Sequence, residues 1–215
     1  MAQPQSNFKN MFLALFAVTF VASAILGGIN EATRSAIAKA DIEQQNIAIA
    51  TILPPFDYLG SSYKVLPAGE ADSLLFFPAY SKDSSLVGTA IKTYSRKGFS
   101  GLILVMVGLT PEGNVSGFKI LEHKETPGLG SKMAQWFSDK NKPKQYVIGK
   151  NPEIANFTVV KDGGSIDAIT AATISSRAFL ESIKRAHTAW KNNTSHQPIP
   201  VTTVKAEPSK EGGAQ

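Results

Sequence analysis

Hydroxyl groups set among small residues are the first feature of this chain that could do chemistry. Asp167-Ala168-Ile169-Thr170-Ala171-Ala172-Thr173-Ile174-Ser175-Ser176 runs straight into a segment whose spacing predicts a helix over 176–191. Two readings of it stand side by side. In one, Ser175 or Ser176 caps the helix by accepting hydrogen bonds from its first free amides. In the other, the same amides and the positive end of the helix dipole receive a phosphate. A threonine there could carry that phosphate as an ester, with Ala171 and Ala172 leaving room for a bulky group. The second segment is His123-Lys124-Glu125-Thr126-Pro127-Gly128-Leu129-Gly130, directly after a strand pattern. Pro127 presets one dihedral, and Gly128 and Gly130 can take positive φ. The loop is then either a plain turn or one whose amides approach a flat ligand closely.

Composition narrows the chemistry further. The 215 residues include no cysteine and only three histidines, His123, His187 and His196. Cysteine-ligated iron–sulfur clusters, Cys-type zinc sites, c-type haem attachment, disulfides within the chain and thiol catalysis are excluded. The scattered histidines show no H-E-x-x-H spacing, so no metal ligands are assigned. Redox chemistry in this chain therefore requires an organic cofactor. Neither a P-loop nor a G-x-G-x-x-G motif is present, so ordinary nucleotide binding has no support. The net charge of +5 is spread along the chain without a basic run, and nucleic acid is not expected as a partner.

Several elements must position these two segments. The 19 residues from Met11 to Ile29 carry no charge, and about 20 apolar residues span a bilayer core as a helix. A transmembrane helix over 11–30 is the expectation, with a stub at 1–10. A secretory signal cleaved after Ala22-Ser23-Ala24 and a buried core helix are the competing readings. Lys9 before the span and Glu31 after it place the N-terminus inside and the main domain outside. The Ala-rich stretch that follows predicts a linker helix over 31–53, ended by Pro54-Pro55. Tyr63–Leu66 and Leu74–Phe77 are apolar patches that suit short strands or irregular structure. Val87–Ser95, Leu102–Leu109 and Val115–Leu121 read as three successive strands, with turns at Arg96-Lys97-Gly98 and 110–114. The middle strand is nearly continuous in apolar character, as for a strand covered on both faces. In the final helix Phe179, Ile183, Ala186 and Trp190 share one face, away from Glu181, Lys184 and Arg185. From Asn192 to residue 215 the chain is polar and aperiodic, which predicts a disordered tail. The fold class is α+β: an N-terminal transmembrane helix, a linker helix and one domain over 54–191, an antiparallel sheet packed by helices.

The two chemical segments resemble a known family. Asp167-Ala168-Ile169-Thr170-Ala171-Ala172-Thr173 is similar to the flavinylation motif Asp-x-x-(Ser/Thr)-Gly-Ala-Thr of FMN-binding domains. These occur in the G subunit of the Rnf electron-transport complex and in the C subunit of the sodium-translocating NADH:quinone reductase. Glu125–Gly130 resembles the family's second signature, and Lys97-Gly98-Phe99-Ser100-Gly101 resembles the segment that precedes it. With the N-terminal span, the likeness covers about residues 8–190.

That resemblance implies FMN held covalently through a phosphoester at Thr173, attached by a separate flavin transferase. Thr170 and Ser175 are the weaker acceptor candidates. Ala171, Ala172, Ser175 and Ser176 would surround the phosphate. Asp167 would position the motif or take part in recognition by the transferase. Glu125, Thr126, Pro127, Gly128, Leu129 and Gly130 would lie against the isoalloxazine, with His123 and Lys124 nearby. The family usually has glycine where this chain has Ala171. If the backbone there needs positive φ, alanine costs about 1 kcal/mol or more. If the glycine only makes room, the change is mild. The length and His123-Lys124 point to the Rnf protein over its quinone-reductase counterpart. The implied role is an electron carrier without a soluble substrate of its own. Its setting would be the bacterial inner membrane, with other Rnf-type subunits as partners in ion-coupled ferredoxin:NAD oxidoreduction. A membrane-tethered flavin sensor and an unmodified assembly protein are the alternatives.

Overall fold

The computed structural model describes residues 8–70, 72–194 and 204–205. The chain divides into two compact units, Met1–Asn46 and Ile47–Gln215.

The first unit is helical. Helix α1 spans Phe8–Ile52 without interruption, so the two helices expected over 11–30 and 31–53 are one element. No proline occurs before Pro54 in this stretch, and Gly27-Gly28 lie within the helix. Residues 1–7 of the expected stub lie outside the described residues, and its last three are helical. The apolar part of α1 has a mean hydropathy of 2.3 and is long enough to cross a bilayer. Phe12, Leu15, Phe16, Val18 and Leu26 are all exposed, so apolar side chains cover the helix on every side. The Thr19 hydroxyl donates to the Leu15 carbonyl at 2.9 Å, satisfying a polar side chain within the helix itself.

The second unit is built on an antiparallel sheet. Its strands are β1 (Tyr58–Leu59), β2 (Tyr63–Val65), β3 (Leu74–Tyr80), β4 (Leu86–Gly98), β5 (Gly101–Leu109), β6 (Val115–His123) and β7 (Val204–Lys205). The order is β6-β5-β4-β3-β1-β7, with β2 paired to β3. Short loops join β3 through β6, which makes each successive pair antiparallel. The three strands expected at the centre are β4, β5 and β6. Arg96-Lys97-Gly98 is strand rather than turn: β4 runs through it, and the reversal falls at Phe99-Ser100, with Gly98 opposite Gly101.

Helices α2 (Met133–Ser138) and α3 (Thr173–Thr194) cover one face of the sheet. Helix α3 begins three residues before its expected start and continues past Asn192. Of the tail expected to be disordered over 192–215, the first three residues are therefore helical. Val204–Lys205 pair with β1, and the remaining tail residues lie outside the described residues. Phe179, Ile183 and Ala186 are fully buried against the sheet. Phe179 meets Phe118 of β6 edge-on at 4.8 Å and stacks on Phe137 of α2 at 4.6 Å. The opposite face of the sheet receives Ala48, Ile49, Ile52 and Leu53, which pack on Ala79, Ala90 and Met106. A Cβ at Gly117 would lie 2.8 Å from the Ile52 carbonyl oxygen, so glycine permits this approach. That carbonyl accepts a hydrogen bond from the Ser116 hydroxyl at 2.7 Å. Strand β5 is thus covered on both faces: Ile103, Val105 and Val107 belong to one core, Met106 to the other.

The charged side of α3 departs from expectation. Arg185 is nearly buried, with its guanidinium 2.9 Å from Glu70 and 4.7 Å above the Tyr94 ring. Glu181 accepts from the Ser95 hydroxyl at 2.8 Å and pairs with Lys97 at 2.7 Å. Burial acts to raise the Glu181 carboxyl, but its hydrogen bonds to Lys97 and Ser95 outweigh it and hold the group below its ordinary value. These residues join α3 to β4 instead of facing water.

Candidate functional site

Three chain reversals converge on one cavity of about 360 Å³. They are the β4–β5 tip, the loop after β6 and the turn into α3. Phe99, Glu125, Thr126, Leu129, Gly130, Ala171, Ala172, Thr173, Ile174 and Ser175 line it. The volume lies in the range typical of small-molecule sites, roughly 300–1,000 Å³.

Glu125 ties the three reversals together. It is 4% exposed. One carboxylate oxygen accepts from the Ser100 amide at the β4–β5 tip, 3.0 Å away. The other accepts a hydrogen bond from the Ser175 hydroxyl in the first turn of α3. Its own amide donates to His123 Nδ1 at 3.2 Å, which gives that histidine a place in the loop. The carboxylate occupies space that side chains would close. A Cβ at Gly98 would fall 2.6 Å from one oxygen, and a Cβ at Gly130 would fall 2.8 Å from the other. Gly130 is therefore present for its missing side chain and not for positive φ. Gly128 does take positive φ, +77, in the turn closed by the Leu129 amide onto the Thr126 carbonyl at 3.2 Å.

The turn into α3 is held from below by Ser176. Its buried hydroxyl accepts from the Ile169 amide at 2.9 Å and donates to the Ala172 carbonyl at 3.0 Å. The Ala172 amide reaches the Ile169 carbonyl at 3.0 Å and closes a turn with Ala171 in its third position. Ala171 has φ 60. The backbone there is left-handed, which is the condition under which alanine in place of glycine is strained. Since α3 begins at Thr173, neither Ser175 nor Ser176 is its N-cap. Both hydroxyls are used to hold the site together.

Thr173 is half-buried in the first helical turn, beside the cavity. The amides of Thr173, Ile174 and Ser175 meet no backbone or side-chain acceptor among the described residues. These are the orphan donors of a helix start. They make the position suitable for an anion, and the small Ala171 and Ala172 leave space next to it. A phosphate ester on Thr173 fits this arrangement.

Not every expected residue lines the cavity. Thr170, Pro127 and Gly128 are exposed outside it. Asp167 is anchored by its main chain: its amide donates to the Lys144 carbonyl at 2.9 Å, and its carbonyl accepts from Trp136 Nε1 at 3.0 Å. It supports the motif from outside the cavity. Conversely, Phe99 and Ile174 line the cavity without having been expected there. For Phe99 the signal was its place in the Gly-Phe-Ser-Gly segment; for Ile174, an apolar residue at a helix start, there was none. A neighbouring hollow of about 460 Å³ shares Ile174, but its walls carry charges already paired, Lys97 with Glu181 and Arg177 with Asp162.

Residues 98–188 match the FMN-binding domain family. That stretch opens at the β4–β5 tip and takes in the loop, the turn and most of α3, so the three reversals around the cavity lie in the part of the chain that matches an FMN-binding domain. The relatives are more specific. The G subunit of the ion-translocating oxidoreductase complex of Salmonella typhimurium is 35% identical over 182 residues, which cover 81% of this chain and 85% of that one. The same protein of Aliivibrio fischeri is 30% identical over 212 residues, 93% of this chain and 96% of that one. That of Escherichia coli K12 is 32% identical over 183 residues, 81% and 85%. The chain belongs to this family, the G subunits of ion-translocating oxidoreductase complexes. A looser likeness is to the crystal structure of Shewanella oneidensis NqrC, at 18% identity and a TM-score of 0.43 over 60% of this chain and 65% of that one.

Proposed function

We propose that this protein is the electron-carrying component of an Rnf-type ion-translocating complex, with FMN joined to Thr173 by a phosphoester. The observation that carries the reading is the position of Thr173: it lines a cavity of suitable size, at a helix start whose amides lack acceptors among the described residues. The other two acceptor candidates fit less well. Ser175 is buried and donates to Glu125, while Thr170 lies outside the cavity. The ester between the threonine oxygen and the FMN phosphate forms with net loss of water, and a separate flavin transferase makes it.

When bound, FMN supplies a centre that takes up one or two electrons. The chain's own residues do the rest. The first turn of α3 places its dipole and free amides beside the phosphate. Glu125 keeps the β4–β5 tip, the loop and α3 in register. Phe99, Leu129 and Ile174 provide apolar surface, and Thr126 a hydroxyl, around the remaining space. Covalent attachment keeps the cofactor from diffusing away from a domain on the outer side of the bacterial inner membrane. Helix α1 holds the chain there among the other Rnf-type subunits, and the complex couples electron flow between ferredoxin and NAD to ion transport.

A denaturing gel viewed under ultraviolet light tests the attachment in full-length chain co-expressed with a flavin transferase. A fluorescent band is expected for the wild type and for Ser175→Ala, and none for Thr173→Ala. A dark wild-type band would sink the proposal.

A further inference from the structure

Phe99 is a large aromatic side chain that the fold leaves in solvent, 68% exposed, at the tip of the β4–β5 hairpin. Exposure of one apolar residue needs no explanation by itself. Here, however, the surroundings are specific. The tip is not free: the adjoining Ser100 amide is bound to the buried Glu125 carboxylate at 3.0 Å, and Gly98 pairs with Gly101 beneath it. The ring lines the same cavity as Thr173. Two other partly exposed apolar side chains, Leu129 at 39% and Ile174 at 47%, share the apolar part of the wall with Ala171 and Ala172. An aromatic ring on a pinned turn gives up little conformational freedom when a second ring packs on it. Offset stacking of two aromatic systems then adds to the area buried.

We infer that Phe99 is the packing face for the isoalloxazine ring of the flavin tethered at Thr173. This rests on the covalent-FMN reading above. It assigns the β4–β5 tip a binding role, so that the ring is held from the hairpin side while its phosphate is held at α3. Phe99 fixes the ring's position and shields that side of it from water.

Among the described residues, those lining the cavity include no tyrosine or tryptophan, and this makes a spectroscopic test possible. An indole or phenol stacked on a flavin quenches its fluorescence by electron transfer, whereas a phenyl ring does not. Full-length protein co-expressed with a flavin transferase would be prepared as wild type, Phe99→Trp, Phe99→Tyr, Phe99→Ala and the control Ile154→Trp. Ile154 is exposed and outside the cavity. Intact mass reports attachment separately from packing. Read per attached flavin, as intact mass counts it, most native fluorescence should be lost in Phe99→Trp and Phe99→Tyr and recovered on unfolding. Ile154→Trp should match the wild type. In Phe99→Ala the flavin anisotropy should fall, because the ring turns more freely on its tether. Wild-type fluorescence per attached flavin in Phe99→Trp and Phe99→Tyr, together with wild-type anisotropy in Phe99→Ala, would overturn the inference. Absence of flavin mass from the wild type would instead overturn the attachment itself.

Discussion

Ala171 sits at φ 60, a conformation that costs an L-residue roughly 1–2 kcal/mol and glycine almost nothing. Glycine would take this left-handed backbone without a Cβ clash. Ala171→Gly should raise stability by about 1 kcal/mol, less the small loss from a more flexible unfolded chain. The check is urea unfolding of the detergent-solubilised full chain, and a lowered midpoint would contradict the strain. Glu125 makes the opposite case, a residue whose removal hurts. Glu125→Ala leaves the Ser100 amide and the Ser175 hydroxyl without their acceptor, at a cost of roughly 2 kcal/mol or more. The same unfolding measurement reads it. At this scale the sequence was partly legible. Thr173 stood out because hydroxyls and small residues precede a helical pattern. The partners of Glu125 did not, because they come from segments 25 and 50 residues away that only the fold brings together.

Among the elements, α3 carries both the site at its start and the tie to the sheet along its length. Its later turns hold His187 beneath the β5–β6 turn, where a Cβ on Gly113 would lie 3.0 Å from the imidazole. Burial pushes the His187 pKa down, Glu153 works against that, and Lys191 adds to it. A group depressed in the folded state is neutral there while the unfolded chain binds its proton. The associated stability is full above the ordinary value of 6.5 and is lost as pH falls below it. Stability measured from pH 8 to pH 5 should therefore decline below about 6.5 in the wild type, and less steeply in His187→Gln. An equal decline in both would place the effect elsewhere. Strands β4 to β6 and the buried face of α3 were legible, because alternation and helical spacing repeat over many residues. The β4–β5 reversal was misplaced, since Arg96-Lys97-Gly98 has turn composition yet pairs across to β5. The bonding of Glu181 and Arg185 to β4 was equally hidden: charge alone says nothing about which neighbour it meets.

For the whole molecule, the absence of cysteine says most about function. In the covalent-FMN proposal, a chain without cysteine has no thiolate-held centre beside the flavin at Thr173, and electrons would reach and leave that flavin through centres in other subunits. The same absence offers a clean probe of which side the domain faces. In Ile154→Cys the single thiol sits at an exposed residue. A membrane-impermeant maleimide should label it in intact spheroplasts, whereas labelling only after lysis would put the domain in the cytoplasm. The apolar span was plain in the sequence because bilayer thickness sets its length. That α1 continues unbroken to Ile52 was less so, since the composition changes at Glu31 while the helix does not. Attachment of FMN to Thr173 is tested most directly by the intact mass of the denatured full chain after co-expression with a flavin transferase. It predicts an increase of one FMN less one water in the wild type, retained in Thr170→Ala and Ser175→Ala and lost in Thr173→Ala. An unmodified wild type, or an adduct that survives Thr173→Ala, would contradict it.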